Sequence, residues 1–271
     1  MSHAEEVARG DRFAFGENWT RFLGLLDEER IQQAEQSLRD MLEVRSLEGR
    51  TFVDVGSGSG LFSLAARRLG ARVHSFDFDP RSVACTAELK RRYFPDDPQW
   101  VIEEGSALDP GYLERIGRFD IVYSWGVLHH TGQMWAALEN VAQLAHADGT
   151  LFIAIYNDQG RASRHWLAVK KAYNRLPAGL RWLVVLPAIV RLRGPSLMRG
   201  LFARVPQPRS ARGMDAWRDA IDWIGGLPFE VAKPEAVFEF YRRRGFSLRR
   251  LTTCAGGIGC NEYVFDRKGG L

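Results

Sequence analysis

Ten residues, Thr51–Gly60 with the sequence TFVDVGSGSG, constrain the fold of this chain most strongly. Their first half is apolar and rich in β-branched side chains, which predicts a buried strand. Glycines then occupy alternate positions, at Gly56, Gly58 and Gly60, and a helix is predicted to follow. Glycine tolerates positive φ and lets a ligand approach the backbone, and a helix begins with unpaired N–H groups. The stretch therefore predicts a strand, a tight turn and a helix N-terminus that bind a nucleotide-like ligand.

The spacing of these glycines narrows the kind of nucleotide site. It is G-x-G-x-G, whereas dinucleotide-binding proteins carry G-x-G-x-x-G. No Gly-Lys-Ser/Thr follows, so the stretch is not a P-loop. Phosphate is therefore not the ligand that the turn favours.

Strand and helix patterns alternate between Arg50 and Gly149, which predicts a mostly parallel sheet covered by helices. Ligands of such sheets bind at the carboxyl ends of the strands. Amphipathic helices are also predicted within 20–42, and a helix at 233–244. The predicted strands are 51–55, 72–76, 100–103, 119–124, 150–156, 246–253 and 261–265, and the helices between them are 62–69, 82–93 and 134–145.

Three segments in this order resemble the class I S-adenosylmethionine-dependent methyltransferases: VDVGSGSG, HSFDFDP and RFDIVYSWGVLHH. The resemblance runs from Arg50 to Asn157, with a looser match over 233–267. Within the family, the chain most resembles the small-molecule branch that includes ubiquinone-pathway O-methyltransferases. The resemblance implies an α/β, Rossmann-like sheet of seven strands, mostly parallel, with an antiparallel C-terminal hairpin and a helical cap after the fifth strand. It also implies S-adenosyl-L-methionine as the cofactor.

Composition and pattern divide the chain into four predicted parts. Residues 1–49 form an N-terminal arm and helices, and 50–158 form the cofactor-binding core. Residues 159–230 form a basic helical cap, and 231–271 contribute the last helix and the closing hairpin.

The resemblance assigns cofactor contacts residue by residue. Asp77, just past the second strand, suits two ribose hydroxyls, as an acid does in dinucleotide folds, although a solvated loop acid remains an alternative. Asp79, before Pro80, better suits a helix cap. Ser106 stands where many relatives carry an acid, and its hydroxyl can still accept a hydrogen bond. The predicted cofactor-binding residues are Asp54, Gly56, Ser57, Gly58, Gly60, Asp77, Phe78, Ser106, Ala107, Trp125 and Gly126.

Two histidines, His129 and His130, follow the fourth strand directly. A histidine titrates near neutral pH and can act as a general base toward a hydroxyl or an amine. A structural role, tying the turn to the next helix, is equally compatible with the sequence. They are the candidate catalytic residues, and the three cysteines form no metal-ligand cluster.

The segment 159–214 contains twelve Lys and Arg residues and no Asp or Glu. Because the whole chain has a formal net charge of +4, the rest of it carries −8. The segment also has an apolar run over 182–190, so it could meet anionic lipid or an anionic ligand. A solvated cap that packs on the sheet is the alternative. The candidate acceptor-binding residues are Trp19, Tyr156, Asn157, Arg161, Arg164, Trp223 and Glu230.

These features predict a methyltransferase for a small, lipophilic or anionic acceptor, with oxygen favoured over nitrogen. No apolar stretch approaches the ~18 residues that a spanning helix needs, and the N-terminus lacks the apolar core of a signal peptide. A cytoplasmic protein, with peripheral contact at the inner membrane face, is expected. RNA-directed methylation is a less favoured alternative, since no RNA-binding module or base-methylating Pro-Pro motif occurs, and a non-catalytic partner subunit is another.

Overall fold

The computed structural model describes residues 3–188, 190 and 223–268. The predicted cap at 159–230 therefore lies partly outside the described residues. Within the described residues, no helix combines the length and the apolarity that a bilayer crossing requires.

The centre of the fold is one seven-stranded sheet with the strand order β3-β2-β1-β4-β5-β7-β6. The first five strands pair in parallel, and β7 lies antiparallel between β5 and β6. The predicted α/β sheet with a closing hairpin is therefore confirmed. Its strands are β1 (Thr51–Val55), β2 (Arg72–Asp77), β3 (Trp100–Glu104), β4 (Phe119–Trp125), β5 (Ala145–Tyr156), β6 (Phe246–Thr252) and β7 (Cys260–Arg267).

Helices cover both faces of the sheet, as the alternation of strand and helix patterns predicts. Short 3₁₀ turns follow β4, at Leu128–His130, and α8, at Ala178–Leu180. Residues 182–188 are also helical. The α-helices are α1 (His3–Ala8), α2 (Phe15–Leu23), α3 (Glu28–Leu42), α4 (Leu61–Arg68), α5 (Pro80–Tyr93), α6 (Pro110–Ile116), α7 (Met134–Gln143), α8 (Arg161–Arg175) and α9 (Pro234–Arg242).

Successive residues of a strand point to opposite faces, so the apolar strands supply two cores. On β1, Phe52 joins the core beneath α3, α4 and α5, and Val53 joins the core beneath α7 and α9. Trp166, Tyr173 and Ile224 form a third, smaller cluster in the cap. Because both faces of the sheet are covered, its central strands are apolar almost throughout, and the polar residues of β1 and β2 are exceptions.

Two helices differ from the sequence-based expectations. No helix was predicted within the first ten residues, but α1 forms and lies against the end of β2, where His3 Nε2 is 3.5 Å from Asp79 Oδ2. The short helix α6 was not predicted, although Asp109 accepts the N–H of Tyr112 and Pro110 opens the helix. Asp-Pro is a helix-start signal, so α6 was in principle detectable.

Candidate cofactor and acceptor site

A cavity of about 790 Å³ opens at the carboxyl ends of β1, β2 and β4. Ten of the eleven predicted cofactor residues line it, and so do four of the predicted catalytic and acceptor residues, His130, Trp19, Tyr156 and Trp223. The carboxyl ends of parallel strands meet at one edge of a sheet, which is why motifs far apart in sequence converge here. The ten are Asp54, Gly56, Ser57, Gly58, Asp77, Phe78, Ser106, Ala107, Trp125 and Gly126.

The glycine turn requires glycine for two separate reasons. Gly56, Gly58 and Gly60 all have positive φ, at 79°, 55° and 80°. A Cβ at Gly56 would lie 2.4 Å from a methyl group of Val127, and one at Gly60 would lie 2.8 Å from the Cα of Thr86 on α5. Gly60 does not line the cavity. Its absence of a side chain lets α4 and α5 approach each other.

Asp77 joins the end of β2 to the glycine turn. Its Oδ2 accepts the N–H of Gly58 at 2.9 Å, and its Oδ1 accepts the N–H of Asp79 at 2.9 Å. Burial raises the pKa of Asp77 to about 6, against the lowering effect of these two hydrogen bonds. The carboxylate therefore shapes the turn and lies on the cavity wall at the same time.

Asp54, near the end of β1, is a fully buried carboxylate on the same wall, where Asp77 is partly exposed. Burial raises its pKa to about 7, a hydrogen bond from Ser63 opposes this rise, and the charge of Asp77 adds to it. Two neighbouring acids that titrate near neutral pH make this end of the cavity suited to a cationic group, because a positive charge would favour their ionised forms.

The loop after β3 contributes Ser106 and Ala107 to the cavity wall. The hydroxyl of Ser106 accepts the N–H of Leu108 at 3.1 Å, and the carbonyl of Ala107 accepts a hydrogen bond from Asn140 at 2.9 Å. Both residues are thus held in place by the protein itself. Phe78, in the loop after β2, also lines the cavity.

The N-terminal arm, residues 3–24, closes one side of the cavity. The N–H of Gly16 donates to Asp79 Oδ2 at 2.9 Å, and Asp79 Oδ1 also caps α5, as the sequence favoured. Arg12 donates from Nη1 to the carbonyl of His130 at 2.9 Å, and its guanidinium lies 5.1 Å from the ring centre of Phe78. The arm thus touches both the Phe78 end and the histidine end of the cavity.

Trp19 lies over the glycine turn. A Cβ on Gly58 would be 3.1 Å from its Nε1. The sequence placed Trp19 among the acceptor-binding residues, and in the structure it lines the cavity beside the glycine turn.

The two histidines of the turn after β4 differ in their exposure to the cavity. His130 lines it, and its Nδ1 lies 2.6 Å from the carbonyl of Pro228, so Nδ1 carries the proton and donates. Nε2 is then the hydrogen-bond acceptor. Burial, with the charge of Lys170, lowers the pKa of His130 to about 3.

His129 is fully buried and does not line the cavity. Its Nδ1 accepts the N–H of Tyr156 at 3.3 Å, its ring packs 3.8 Å from the Tyr156 ring, and burial holds its pKa well below the usual value. These contacts fit the structural alternative that the sequence left open.

Four predicted acceptor-binding residues lie outside the cavity. Arg161 and Arg164 are on the exposed face of α8. Asn157 bonds to Asn261 and to the carbonyl of Gly257, and so ties β5 to the hairpin loop. Glu230 accepts the N–H of Met134 at 2.9 Å and caps α7. The contacts made by Asn157 and Glu230 are those of structural residues.

Some cavity residues were not predicted from the sequence. His3, Glu6, Arg12 and Phe15 come from the arm, and Cys260 comes from the closing hairpin. Phe15 belongs to the aromatic stretch 13–19, whose sequence is equally compatible with a lid over the site and with packing on the core. Arg12 carried no such signal, because its partners are far along the chain.

Residues 53–151 match a protein-family model described as "Methyltransferase domain". A ubiquinone biosynthesis O-methyltransferase of Rhizobium johnstonii is 30% identical over 155 residues, which are 57% of this chain and 58% of that protein. The ubiquinone biosynthesis O-methyltransferase of Xanthomonas campestris is 31% identical over 112 residues, which are 41% of this chain and 45% of that protein. The chain therefore matches only about half the length of these curated relatives.

Solved structures share the fold over most of the chain. Magnesium protoporphyrin IX methyltransferase from Synechocystis PCC 6803 has a TM-score of 0.53 and 16% identity, covering 88% of this chain and 83% of that one. An O-methyltransferase family protein from Burkholderia thailandensis has a TM-score of 0.57 and 13% identity. The match covers 98% of this chain and 68% of that one. Residues 53–151 are therefore similar to a methyltransferase domain, and most of the chain shares its fold with these solved methyltransferases, so the resemblance stated from the sequence is confirmed.

Proposed function

We propose that this protein transfers a methyl group from S-adenosylmethionine to a small-molecule acceptor, with an oxygen as the favoured acceptor atom. One observation carries the proposal. A single cavity joins the glycine turn, Asp54 and Asp77 at one end to His130, Tyr156 and Trp223 at the other. A methyltransferase needs this arrangement because donor and acceptor must meet in line within a site that excludes water.

The residues at the first end fit the cofactor. Gly58 lines the cavity without a side chain, and Asp77 offers carboxylate oxygens suited to ribose hydroxyls. Asp54 and Asp77 together complement the positive charges of the methionine part, and Phe78 offers a flat apolar surface to the adenine. When bound, the cofactor supplies a methyl group that its sulfonium already activates. The Synechocystis relative was solved with bound SAH, which supports the same ligand here.

The residues at the second end fit an acceptor that loses a proton. His130 Nε2 can accept a hydrogen bond from a hydroxyl, since Nδ1 is engaged with Pro228. The low pKa of His130 keeps the imidazole neutral, so it orients the hydroxyl and is only a weak base. The names of the curated relatives support oxygen as the acceptor atom and a small molecule as the substrate.

Two measurements on the purified protein test the proposal. Calorimetry should detect binding of S-adenosylhomocysteine, and Asp77→Ala should weaken it. Asp109→Asn is the matched control, because Asp109 caps α6 at the same edge of the sheet but does not line the cavity. Incubation with methyl-labelled S-adenosylmethionine and a cell extract should then label a small molecule. Absence of cofactor binding would refute the proposal.

We further propose that the cap contacts an anionic membrane surface, from which a lipophilic acceptor would be drawn. Helix 182–188 buries Ala188 in the cluster around Tyr173 and packs the partly buried Val184 and Val185 against it. Its other face exposes large apolar side chains, and Lys171 and Arg175 of α8 are exposed nearby in sequence. Exposed apolar residues beside cations are typical of helices that lie on anionic lipid. Trp182, Leu183, Leu186 and Val190 are 55%, 49%, 53% and 68% exposed.

Vesicle co-sedimentation tests this contact. The protein should bind vesicles that contain 30% phosphatidylglycerol more than pure phosphatidylcholine vesicles, and binding should weaken as salt rises. Exchanging Leu183 and Leu186 for Ser should reduce binding and leave cofactor affinity unchanged. Val101→Ser, a change at a 43% exposed residue of the edge strand β3, is the control. Lack of binding to anionic vesicles at low salt would favour a soluble acceptor.

A further inference from the structure

A chain of three side-chain hydrogen bonds runs through the interior from β3 to the cavity. The indole Nε1 of Trp100 donates to Ser75 Oγ at 2.9 Å, and Ser75 Oγ donates to Ser63 Oγ at 2.8 Å. Ser63 Oγ donates to Asp54 Oδ2 at 2.5 Å. Trp100, Ser75 and Ser63 are fully buried, and Asp54 is 2% exposed. This series of hydrogen bonds therefore begins in the core and ends at a carboxylate on the cavity wall.

The backbone explains why these side chains meet. Asp54 and Ser75 are direct partners in the parallel pairing of β1 with β2, so both side chains point to the same face of the sheet. Ser63 lies on α4, which covers that face, and Trp100 begins β3 beyond β2. These hydrogen bonds therefore connect β1, β2, β3 and α4 through buried polar groups that lie in a mainly apolar core.

The donor-to-acceptor direction of these three hydrogen bonds is set by the groups at the two ends, Trp100 and Asp54. An indole N–H can only donate, so Ser75 accepts there and must donate onward. Ser63 likewise accepts from Ser75 and donates to Asp54. Every buried hydroxyl proton then has an acceptor only if Asp54 Oδ2 accepts. If Oδ2 carried a proton and donated to Ser63, Ser63 would have to donate to Ser75. The hydroxyl proton of Ser75 would then be buried without an acceptor, which is costly.

We propose that Ser63, Ser75 and Trp100 are positioning residues for the cofactor, acting as a one-way hydrogen-bond relay that orients the Asp54 carboxylate and favours its ionised form. The inference rests on the proposed function, because Asp54 is taken to meet the positive charge of the cofactor. The relay opposes the effect of burial, which on its own would keep Asp54 protonated and remove that charge. It allows a carboxylate to be buried beside the cofactor and still carry charge near neutral pH.

Other titratable groups share the cavity with Asp54. Its partner on β4, across the sheet, is Tyr123. Among the charged groups, Asp77 acts on Asp54 directly, and its ionisation raises the pKa of Asp54. The remaining ones that line the cavity are His3, Glu6, Arg12, Asp79 and His130.

The first test measures the ionisation of Asp54 without any cofactor. Nuclear magnetic resonance of ¹³C-labelled aspartate, with the Asp54 signal identified by its loss in Asp54→Asn, gives the midpoint of the titration. Ser63→Ala should raise that midpoint by about one pH unit or more, as expected for loss of a hydrogen bond to a charged group. Ser75→Ala should raise it less, because it removes the next link. Ser124→Ala is the matched control, since Ser124 is equally buried but donates to the carbonyl of Val55.

The second test is calorimetry of S-adenosylhomocysteine between pH 6 and pH 9. Affinity of the wild-type protein should rise with pH as Asp54 ionises. Ser63→Ala should bind about tenfold more weakly at pH 7 and approach wild-type affinity at pH 9. A purely structural role would weaken binding equally at every pH. If Ser63→Ala does not fold, Ser75→Ala and Trp100→Phe test the same relay.

The two tests separate the inference from the proposed function. An unchanged Asp54 midpoint in all folded relay variants would overturn the relay, and so would a loss of affinity that is independent of pH. If the midpoint shifts but the wild-type protein binds no cofactor at any pH, the proposed function fails and the effect of the relay on Asp54 stands.

Discussion

The Asp77 carboxylate accepts the backbone N–H of Gly58 at 2.9 Å. This bond joins the residue that ends β2 to the middle of the glycine turn after β1. The two parts of the cofactor motif are therefore mechanically coupled, and a change at one is expected to alter the shape of the other.

Asp77→Ala should weaken cofactor binding at least about tenfold, because hydrogen bonds to charged groups are worth ~1.5–3 kcal/mol. It should also lower the melting temperature, because the N–H groups of Gly58 and Asp79 lose their acceptor. Calorimetry and thermal unfolding measure the two effects. A folded variant with wild-type affinity would exclude Asp77 from the cofactor site.

Gly58→Ala should lower both stability and cofactor affinity. Its positive φ costs an L-residue ~1–2 kcal/mol, and the new Cβ would lie 3.1 Å from Trp19 Nε1. Gly160→Ala is the control, because Gly160 also has positive φ, at 61°, but a Cβ there would meet nothing within 4 Å. The control should lose stability and keep its affinity. Equal affinity losses in both variants would contradict the role of the turn.

His130→Asn should reduce turnover by up to about 10²-fold, because it removes the Nε2 atom that orients the acceptor hydroxyl, and misplacement of a reacting group costs rates on this scale. The amide can still donate to the carbonyl of Pro228, so cofactor affinity and melting temperature should change little. Since the pKa of His130 is about 3, its imidazole is neutral throughout the working range. Ionisation of Asp54, whose pKa is raised to about 7, should give kcat/KM an acid limb near pH 7, and this limb should persist in the variant. Its disappearance would show that His130 titrates near neutral pH after all.

Asp54→Asn should make the ligand-free protein more stable at pH 8. Burial raises the pKa of Asp54 from 3.8 to about 7, so the folded protein binds this proton more tightly than the unfolded chain does. The stability that this proton contributes is complete below pH 3.8 and is lost as pH rises toward 7. A pKa difference of about three corresponds to at most ~4 kcal/mol.

Thermal unfolding of wild-type protein and Asp54→Asn across this pH range measures the effect. Each kcal/mol should shift the melting temperature by roughly 2–4 °C. The difference in melting temperature between the two proteins should widen from pH 4 to pH 7 and then remain constant. A gap that is the same at pH 4.5 and pH 8 would contradict the raised pKa.

Arg12→Gln should loosen the arm. It removes the bond to the carbonyl of His130 and the contact with the Phe78 ring. Limited proteolysis should cut the arm faster, and cofactor affinity should fall severalfold. Arg9→Gln is the control, since Arg9 is exposed on the same arm. Equal protease sensitivity of the two variants would contradict the role of Arg12.

The position of the glycine turn and of Asp77 on one cavity wall was predictable because the signals are local. The glycine turn and the acid at the end of β2 each lie within a few residues of the strand that positions them. Gly60 shows the limit of such local inference. It belongs to the motif, but its role is packing against Thr86 on α5, which only the folded structure reveals.

The acceptor end was harder to predict because its contacts join distant residues. Arg12 reaches the His130 carbonyl across 118 positions, and Glu230 caps α7 across 96. A lone arginine and a lone glutamate carry no periodicity or spacing that could indicate such partners. Arg161 and Arg164 were also predicted to bind the acceptor, but both are exposed on helix α8.

The arm has a kinetic consequence. Through Arg12 it is attached to the ring beside the cofactor end and to the backbone of the histidine turn, and through Gly16 to the cap of α5. A displacement that uncovers Phe78 must also release the His130 carbonyl. One movement of the arm would then release both S-adenosylhomocysteine and the methylated product. The rate at which the arm opens would therefore set an upper limit on turnover.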